Sequence, residues 1–278
     1  MTTETRYAHS PDEVAAMDTA QLRDAFVADG LFAPGEARGA YLHHDRILVF
    51  GIVPTSDPIE LPNPDEVRAQ HVLQRREAGI LNVGAPGVVV ADGREFIVAH
   101  AEAVYLGRGA DGVSFRSLDP ADPAAFYVFT AVAHASLPHA LITREDMKII
   151  DIGSPAASNQ RTLHQCIIEG RTRSANIAFG FTTVQPGSTW NTMPPHTHDR
   201  RTECYLYFDL APEDRVFHIM GRQDETRHVV LGNREMVVSP SWSVHFGAGT
   251  GPYSFVWATA GENAAYDDMD HVQLTDIR

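Results

Sequence analysis

The chain has 278 residues, of which 44% are hydrophobic, and its 22 basic and 36 acidic residues give a net charge of −14. This length and composition exclude a disordered chain and support one large core or two domains of about 140 residues. The acidic balance and the lack of any lysine- or arginine-rich run argue against nucleic-acid binding, although a local group of arginines can still hold a small anion.

The helical signals are concentrated in the first thirty residues. Ser10 is placed to cap a helix, because Pro11 occupies the first helical position and acidic residues follow in the first turn. A second stretch of the same character, DTAQLRDAFVADG, runs to Gly30. The sequence therefore predicts short helices ahead of the first domain.

Short strands are predicted from residue 41 onward. The stretches 41–53, 79–84 and 87–99 are rich in apolar and β-branched residues, and the pair Asp92-Gly93 is a strong hairpin signal. Further strands recur at short intervals after residue 160, which is typical of an all-β sandwich or barrel. We place a linker around residues 141–160 and predict two domains, residues 1–150 and 151–278.

An internal repeat supports two related domains. Laid without gaps at an offset of 140, Arg94–Phe115 matches Arg234–Phe255, and the shared residues include both ends of each stretch. Composition alone can produce some matches between valine- and glycine-rich strands, but the long ungapped register favours duplication of one β-domain. In this register Tyr105 takes the place of His245.

The N-terminus lacks the basic and apolar regions of a secretory signal, and no apolar run approaches the roughly 18 residues that cross a bilayer. The only two cysteines, Cys166 and Cys204, argue against a disulfide framework and fit a reducing compartment. We therefore expect a cytoplasmic protein without a membrane partner.

Residue types that bind metals cluster in MPPHTHDRRTECYLYF, residues 193–208. Residues two apart on a strand share a face, so His196 and His198 can converge on one point. Glu203 lies an odd step further on, and the polar residues between them can form a turn or bulge that re-aims its carboxylate. Two imidazoles and one carboxylate suit Zn²⁺, Fe²⁺, Mn²⁺ or Ni²⁺. A third imidazole must come from a distant strand, and His245 is the best candidate.

Together these residues resemble the two signature motifs of the cupin superfamily, H-x-H-x4-E followed by P-x4-H. That resemblance implies a metal held by three histidines and one glutamate inside a small β-barrel. Trp242 and Gly249 depart from the usual second motif, at positions that shape the turn and the lining rather than ligate.

A longer match resembles the 4-deoxy-L-threo-5-hexosulose-uronate ketol-isomerase family. It is carried by NTMPPHTHDRRTECYLYFDL, VFHIMGRQDETRHVV, SPSWSVHFGAGTGPYSFVW and YDDMDHV in the second half, and by RREAGILNVGAPGVVVADG in the first. The resemblance implies an all-β bicupin, often hexameric, that acts in bacterial breakdown of pectin-derived uronates. It also implies one Zn²⁺ per subunit on His196, His198, Glu203 and His245, with Fe²⁺, Mn²⁺ or Ni²⁺ as alternatives.

The histidines of the first half form no H-x-H pair, and the repeat puts Tyr105 at the position of the third histidine, so we expect the N-terminal barrel to hold no metal and to serve structure and assembly. The implied reaction moves a carbonyl from C1 to C2 of a keto-deoxyuronate, which requires a Lewis acid and a proton-shuttling base. Candidates for the base are a metal-bound hydroxide and the side chains of Tyr205, Tyr207 and His218. Candidates for binding the small anionic substrate are Arg200 and Arg201, with Arg161 and Arg227 as weaker ones.

Three other functions remain compatible with the sequence. The nearest is a 5-deoxy-glucuronate isomerase of inositol catabolism, which would share metal and reaction class. The second is a cupin dioxygenase, since three histidines and one glutamate also suit Fe²⁺ or Ni²⁺. The third is a non-enzymatic sugar-sensing or storage cupin, which would not need an intact ligand set.

Overall fold

A computed structural model describes residues 2–278, and strands dominate it. Its two α-helices lie near the N-terminus, α1 (Pro11–Ala15) and α2 (Thr19–Phe26). The strands of the first half are β1 (Thr2–Arg6), β2 (Val27–Ala28), β3 (Ala37–Leu42), β4 (Leu48–Ile52), β5 (Ile59–Glu60), β6 (Arg76–Asn82), β7 (Gly87–Ala91), β8 (Arg94–Val98), β9 (Ala103–Leu106), β10 (Ser114–Ser117), β11 (Phe126–Val132) and β12 (Ala140–Ile142).

The strands of the second half are β13 (Lys148–Ile152), β14 (Arg161–Ile167), β15 (Ala178–Val184), β16 (Trp190–Asn191), β17 (His196–Thr197), β18 (Arg201–Phe208), β19 (Val216–Arg222), β20 (Glu225–Leu231), β21 (Met236–Ser239), β22 (Val244–Gly249), β23 (Tyr253–Gly261) and β24 (Asp270–His271). Short 3₁₀ turns lie at Asp65–Val67, Val72–Gln74, Pro155–Ala157 and Leu274–Asp276.

The predicted N-terminal helices are confirmed. Ser10 and Glu13 form a capping box at α1, in which each side chain accepts a hydrogen bond from the other residue's backbone N–H. Asp18 and Gln21 make the same reciprocal pair at α2. Neither helix is long and apolar enough to span a membrane, and the described residues contain no other α-helix.

The chain divides into two compact units. The first unit comprises residues 1–5, 30–147 and 166–178, and the second comprises residues 6–29, 148–165 and 179–278. Each unit pairs a seven-stranded sheet with a four-stranded sheet. The helical segment falls in the second unit, where β2 pairs with β21.

In the first unit the seven-stranded sheet has the order β1-β3-β4-β11-β6-β9-β12, and the four-stranded sheet has the order β5-β10-β7-β8. Alternate residues of both sheets point into one apolar core. This core includes Phe50, Ile80, Phe96, Phe115 and Phe126. The predicted Asp92-Gly93 hairpin is confirmed, because both residues adopt positive φ between β7 and β8.

In the second unit the orders are β13-β14-β15-β23-β18-β21-β2 and β16-β22-β19-β20, with a separate β17-β24 pair. The segment predicted as a linker, residues 141–160, contains the end of β12 and all of β13. β12 pairs with β9 in the first unit, and β13 pairs with β14 in the second.

The two units share one strand order, which agrees with duplication of a β-domain. β6 lies between β11 and β9, as β18 lies between β23 and β21. The β7–β8 hairpin pairs with β10, as the β19–β20 hairpin pairs with β22. Strand for strand, β9 therefore corresponds to β21 and β10 to β22.

The predicted register of the repeat is wrong. At an offset of 140, β8 falls on β21, whereas the strand order matches β8 with β20. Arg94 at the start of β8 and Glu225 at the start of β20 are 131 residues apart (225 − 94), so an offset of 140 slides each strand onto the next one. Tyr105 is therefore not the counterpart of His245. It lies on β9 between two core residues, Val104 and Leu106, faces away from the core, and donates a hydrogen bond to Glu77 over 2.6 Å.

Candidate metal centre

The four residues predicted as metal ligands converge in the second unit. Nε2 of His196 lies 3.1 Å from Nε2 of His245 and 3.1 Å from Nε2 of His198. Oε2 of Glu203 lies 2.9 Å from Nε2 of His198 and 3.1 Å from Nε2 of His245. All four side chains are buried, and all four ligand atoms lie within 4.8 Å of one another.

Local chain geometry explains this convergence. The backbone N–H of Arg201 donates to the carbonyl of His198 over 2.9 Å and closes a turn between β17 and β18. This turn re-aims Glu203, as the odd spacing predicts. His245 comes from β22 in the facing sheet.

The outer nitrogens of two histidines are fixed by hydrogen bonds. Nδ1 of His198 donates to the carbonyl oxygen of Asp268 over 2.6 Å. Nδ1 of His245 lies 3.0 Å from the hydroxyl oxygen of Ser239 and 3.3 Å from the carbonyl oxygen of Ser243. A carbonyl only accepts, so these contacts assign a proton to Nδ1 in both rings and turn each Nε2 towards the cluster.

The surroundings of His196 and Glu203 favour the protonation states that a cation requires of these two residues. Burial and the neighbouring imidazoles of His245 and His198 lower the pKa of His196 to about 2. Burial alone would raise the pKa of the Glu203 carboxyl, but His245 and His198 outweigh it and leave that pKa well below its usual range. Three imidazole nitrogens and an ionised carboxylate facing one another fit a divalent cation such as Zn²⁺.

The predicted catalytic candidates line the same interior. Glu203, Tyr205 and Tyr207 alternate along one face of β18, so the predicted polar lining is confirmed. On the facing sheet His245 lies opposite Met220, which places His218 on the same side as His245. Cys204 points the other way and is buried.

The three candidates differ in their hydrogen bonds. The hydroxyl of Tyr205 is paired with Thr192 over 2.8 Å, and the hydroxyl of Tyr207 with Nδ1 of His218 over 2.8 Å. Nε2 of His218 is buried and has no hydrogen-bond partner among residues 2–278. Burial lowers the pKa of His218 to about 3 and raises the pKa of both tyrosines well above the usual range.

Arg200 and Arg201, predicted to bind substrate, contact acceptors of the protein itself. Nε of Arg200 donates to Asp268 over 2.7 Å, and its Nη2 donates to Asp270 over 2.8 Å. Nη2 of the buried Arg201 donates to the carbonyl of Asp268 over 2.9 Å, and its Nη1 to Thr259 over 3.2 Å. Both arginines therefore fasten the segment that also holds His198.

Arg201 has a counterpart in the first unit. Arg76 begins β6 as Arg201 begins β18, and its Nη1 lies 3.4 Å from the hydroxyl of Thr130, as that of Arg201 lies 3.2 Å from Thr259. The same arginine–threonine contact thus occurs in both units, which points to a role in holding the barrel.

This contact also aligns the ligand positions of the two units. Two residues beyond each arginine, opposite the threonine, the first unit has Ala78 where the second has Glu203. Phe115 on β10 pairs with Val89, two residues before the end of β7, and His245 on β22 pairs with Met220, two residues before the end of β19. Phe115 of the first unit therefore corresponds to His245. Both replacements are apolar and belong to the core of the first unit.

Several residues around the site were missed by the sequence analysis. Asp268 holds His198 through a backbone carbonyl, and any residue type can supply that contact. Ser239 precedes the predicted P-x4-H stretch directly, so a search for a hydroxyl near that motif would have found it. Buried polar atoms without a partner among the described residues also belong to Gln165, Asn191 and Trp257. No spacing rule marks these three residues.

The fold and the site define a class of protein. Two β-units of one strand order, the second with a buried cluster of three histidines and one glutamate, make the chain a two-domain cupin, or bicupin. The chain belongs to the KduI/IolB family, whose model matches residues 61–274.

Relatives agree with this assignment. A protein of Kineococcus radiotolerans named 4-deoxy-L-threo-5-hexosulose-uronate ketol-isomerase is 51% identical over 278 residues, which cover 99% of this chain and 100% of that protein. A protein of the same name from Lachnoclostridium phytofermentans is 44% identical over 275 residues, 99% of this chain and 100% of that protein.

Solved structures share the fold at low sequence identity. An IolB-like protein from Salmonella typhimurium superposes with a TM-score of 0.70 at 16% identity, covering 87% of this chain and 94% of that one. Oxalate decarboxylase from Lactobacillus farciminis gives a TM-score of 0.57 at 12% identity, covering 82% of this chain and 79% of that one. The bicupin architecture predicted from the sequence is thereby confirmed.

Proposed function

We propose that this chain is a ketol-isomerase that converts 4-deoxy-L-threo-5-hexosulose-uronate to 3-deoxy-D-glycero-2,5-hexodiulosonate in the breakdown of pectin-derived uronates. The observation that carries the proposal is 51% identity, over 99% of this chain, to a relative named for that reaction. The buried cluster of three histidines and one glutamate supports it, because an aldose–ketose isomerisation needs electrophilic assistance at two neighbouring oxygens.

We further propose one Zn²⁺ per chain on His196, His198, Glu203 and His245, with Fe²⁺, Mn²⁺ and Ni²⁺ as chemically acceptable alternatives. When bound, the cation supplies a Lewis acid that polarises the carbonyl and hydroxyl oxygens of the substrate. The apolar Ala78 and Phe115 at the corresponding positions support a first unit without a metal.

Among the residues of the chain, His218 is our candidate for proton transfer. Burial keeps its imidazole neutral at neutral pH, its Nδ1 is held by Tyr207, and its Nε2 is left for a ligand. In the proposed step Nε2 takes the proton from C2 and returns it to C1, while the C2 hydroxyl proton passes to the C1 oxygen. No atom is gained or lost, as an isomerisation requires.

The decisive experiment combines metal analysis with a coupled assay on the product of an unsaturated-galacturonate lyase. We expect stoichiometric metal and turnover of the keto-deoxyuronate, with much slower turnover of 5-deoxyglucuronate. Preference for 5-deoxyglucuronate would replace the proposal by the isomerase of inositol catabolism. Oxygen consumption during turnover would indicate a dioxygenase, and protein without stoichiometric metal would favour a sensing or storage role.

The resemblance to the ketol-isomerase family also supports a homo-oligomer, in particular a hexamer, and a cytoplasmic location. Light scattering coupled to size-exclusion chromatography would measure the mass of the assembly. A mass equal to one chain would contradict this part of the proposal.

A further inference from the structure

A second feature of the interior is a buried cation without a counter-ion. Arg161 begins β14, and its side chain is 7% exposed. Its Nη1 donates to the carbonyl of Asn159 over 2.8 Å and its Nη2 to the carbonyl of Met193 over 3.0 Å. Among residues 2–278 this guanidinium makes no further hydrogen bond and no ion pair with a carboxylate.

Arg161 belongs to the face of β14 that lines the metal-bearing interior. Gln165, four residues along the strand, shares its face and hydrogen-bonds to Tyr266. Tyr266 packs its ring on Trp257 at 5.3 Å, and Trp257 lies opposite Tyr205 on the face that carries Glu203. On the other face of β14, His164 stacks on Phe181 at 4.2 Å, outside the ligand cluster.

Contacts of the Arg161 head group point to the same interior. Met193, whose carbonyl it holds, precedes the ligand His196 by three residues. Burial lowers the pKa of Arg161, and the nearby hydroxyls of Tyr205, Tyr266 and Tyr253 oppose that effect. These three tyrosines bring polar groups around the guanidinium but no negative charge at neutral pH.

A buried guanidinium with only neutral acceptors is costly, since the charge has left water without an opposite charge nearby. The buried Arg76 of the first unit shows another solution, because its guanidinium lies 6.0 Å from the ring centroid of Tyr41. Arg161 has no such ring contact among the described residues. An anion that enters the interior would therefore find a preformed partner.

We propose that Arg161, rather than Arg200 or Arg201, binds the carboxylate of the substrate. This inference rests on the proposed function, in which the carboxylate lies at the opposite end of the carbon chain from the reacting carbonyl. The carbonyl end would lie at the cluster of metal ligands, and the free edge of the Arg161 guanidinium would bind the carboxylate end. The enzyme would then select acidic sugars over neutral ones.

The test compares wild type, Arg161→Gln, Arg161→Lys and the exposed Arg222→Gln on two substrates. The first is the keto-deoxyuronate, and the second is its neutral analogue with a hydroxymethyl group in place of the carboxylate. We expect Arg161→Gln to raise KM for the acid roughly 10- to 100-fold, with kcat within about threefold of wild type. Arg161→Lys should raise KM less, because it keeps the charge and loses the fork geometry.

On the neutral analogue, wild type and Arg161→Gln should have equal kcat/KM. Metal content should be unchanged in both Arg161 variants, and Arg222→Gln should match wild type throughout. An unchanged KM for the acid in Arg161→Gln would overturn the inference. So would equal losses on both substrates or loss of metal, since these would show that Arg161 only fastens the loop before His196. Inactivity of wild type on the acid would instead sink the proposed function itself.

Discussion

At the scale of single residues, the cluster of candidate metal ligands was predictable because most of its pattern is local. The spacing of His196 and His198 determines a shared face, and only a few residue types bind divalent metals. The hydrogen bonds that orient the rings were not predictable, because the partner of His198 is the carbonyl of Asp268, seventy residues away. Arg161 and His218 carry no motif and were only two of several candidates in the sequence, and their burial and hydrogen bonds distinguish them in the structure.

The first residue-scale prediction concerns Glu203. Glu203→Gln removes the only carboxylate of the ligand cluster, so we expect loss of bound metal and a fall in activity of more than about 100-fold. Circular dichroism should show an unchanged fold, and elemental analysis should show the metal loss. His245→Ala should behave in the same way, and full activity in metal-free His245→Ala protein would refute the mechanism.

A matched control for Glu203 is the fully buried Glu77 of the first unit. Its carboxylate accepts hydrogen bonds from Tyr105 and from the backbone N–H groups of Ala175, Asn176 and Ile177. Glu77→Gln should destabilise the protein by about 1–3 kcal/mol, since charge-assisted hydrogen bonds are lost, yet keep one metal per chain. Metal loss in this variant would contradict a metal-free first unit.

A further residue-scale prediction concerns the base. His218→Gln keeps a side chain that can pair with Tyr207 but cannot carry a proton between carbons. We expect kcat to fall roughly 10²- to 10⁴-fold while metal content stays unchanged. His228→Gln, an exposed histidine of β20, should retain wild-type kcat. A normal kcat in His218→Gln would return the role to Tyr205, Tyr207 or a metal-bound hydroxide.

At the scale of elements, the sequence predicted the strands better than their partners. Capping residues, alternation and the Asp92-Gly93 turn are encoded within a few neighbours, and the structure confirms them. The strand pairing in the segment 141–160 depends on distant partners, so the sequence suggested only a linker there. Close packing between strands is equally non-local, and Gly180 on β15 illustrates it.

We predict that Gly180→Ala destabilises the second unit. A Cβ atom at this position would lie 2.3 Å from a ring carbon of Trp257 and 2.3 Å from the carbonyl oxygen of His164. Relief requires movement of backbone or of a buried ring, so we expect a loss of about 1–3 kcal/mol in the free energy of unfolding. In urea unfolding Gly232→Ala should be nearly neutral, because its Cβ would meet only the flexible side chain of Glu235 at 3.6 Å. Equal stability of the two variants would refute the steric argument.

At the scale of the whole molecule, the two-unit, all-β plan followed from recurrent strands and an internal repeat. The repeat was right in kind and wrong in register, because matching identical residues selected an offset of 140, whereas β8 and the corresponding β20 start 131 residues apart (225 − 94). Strand pairing corrects the register and replaces Tyr105 by Phe115 as the counterpart of His245. One unit thus fills its interior with apolar side chains, whereas the other fills it with histidines and tyrosines.

That polar interior makes the stability of the protein depend on pH. Burial lowers the pKa of His218 from 6.5 to about 3, so the unfolded chain binds a proton at mildly acidic pH that the folded chain does not. Stability is therefore complete above the unfolded pKa and is lost as the pH falls from about 6.5 towards 3. In urea unfolding of chelator-treated protein, wild type should lose about 2 kcal/mol more than His218→Gln between pH 7.5 and pH 5. His228→Gln should lose as much as wild type, and equal losses in wild type and His218→Gln would show that His218 is not held neutral by the fold.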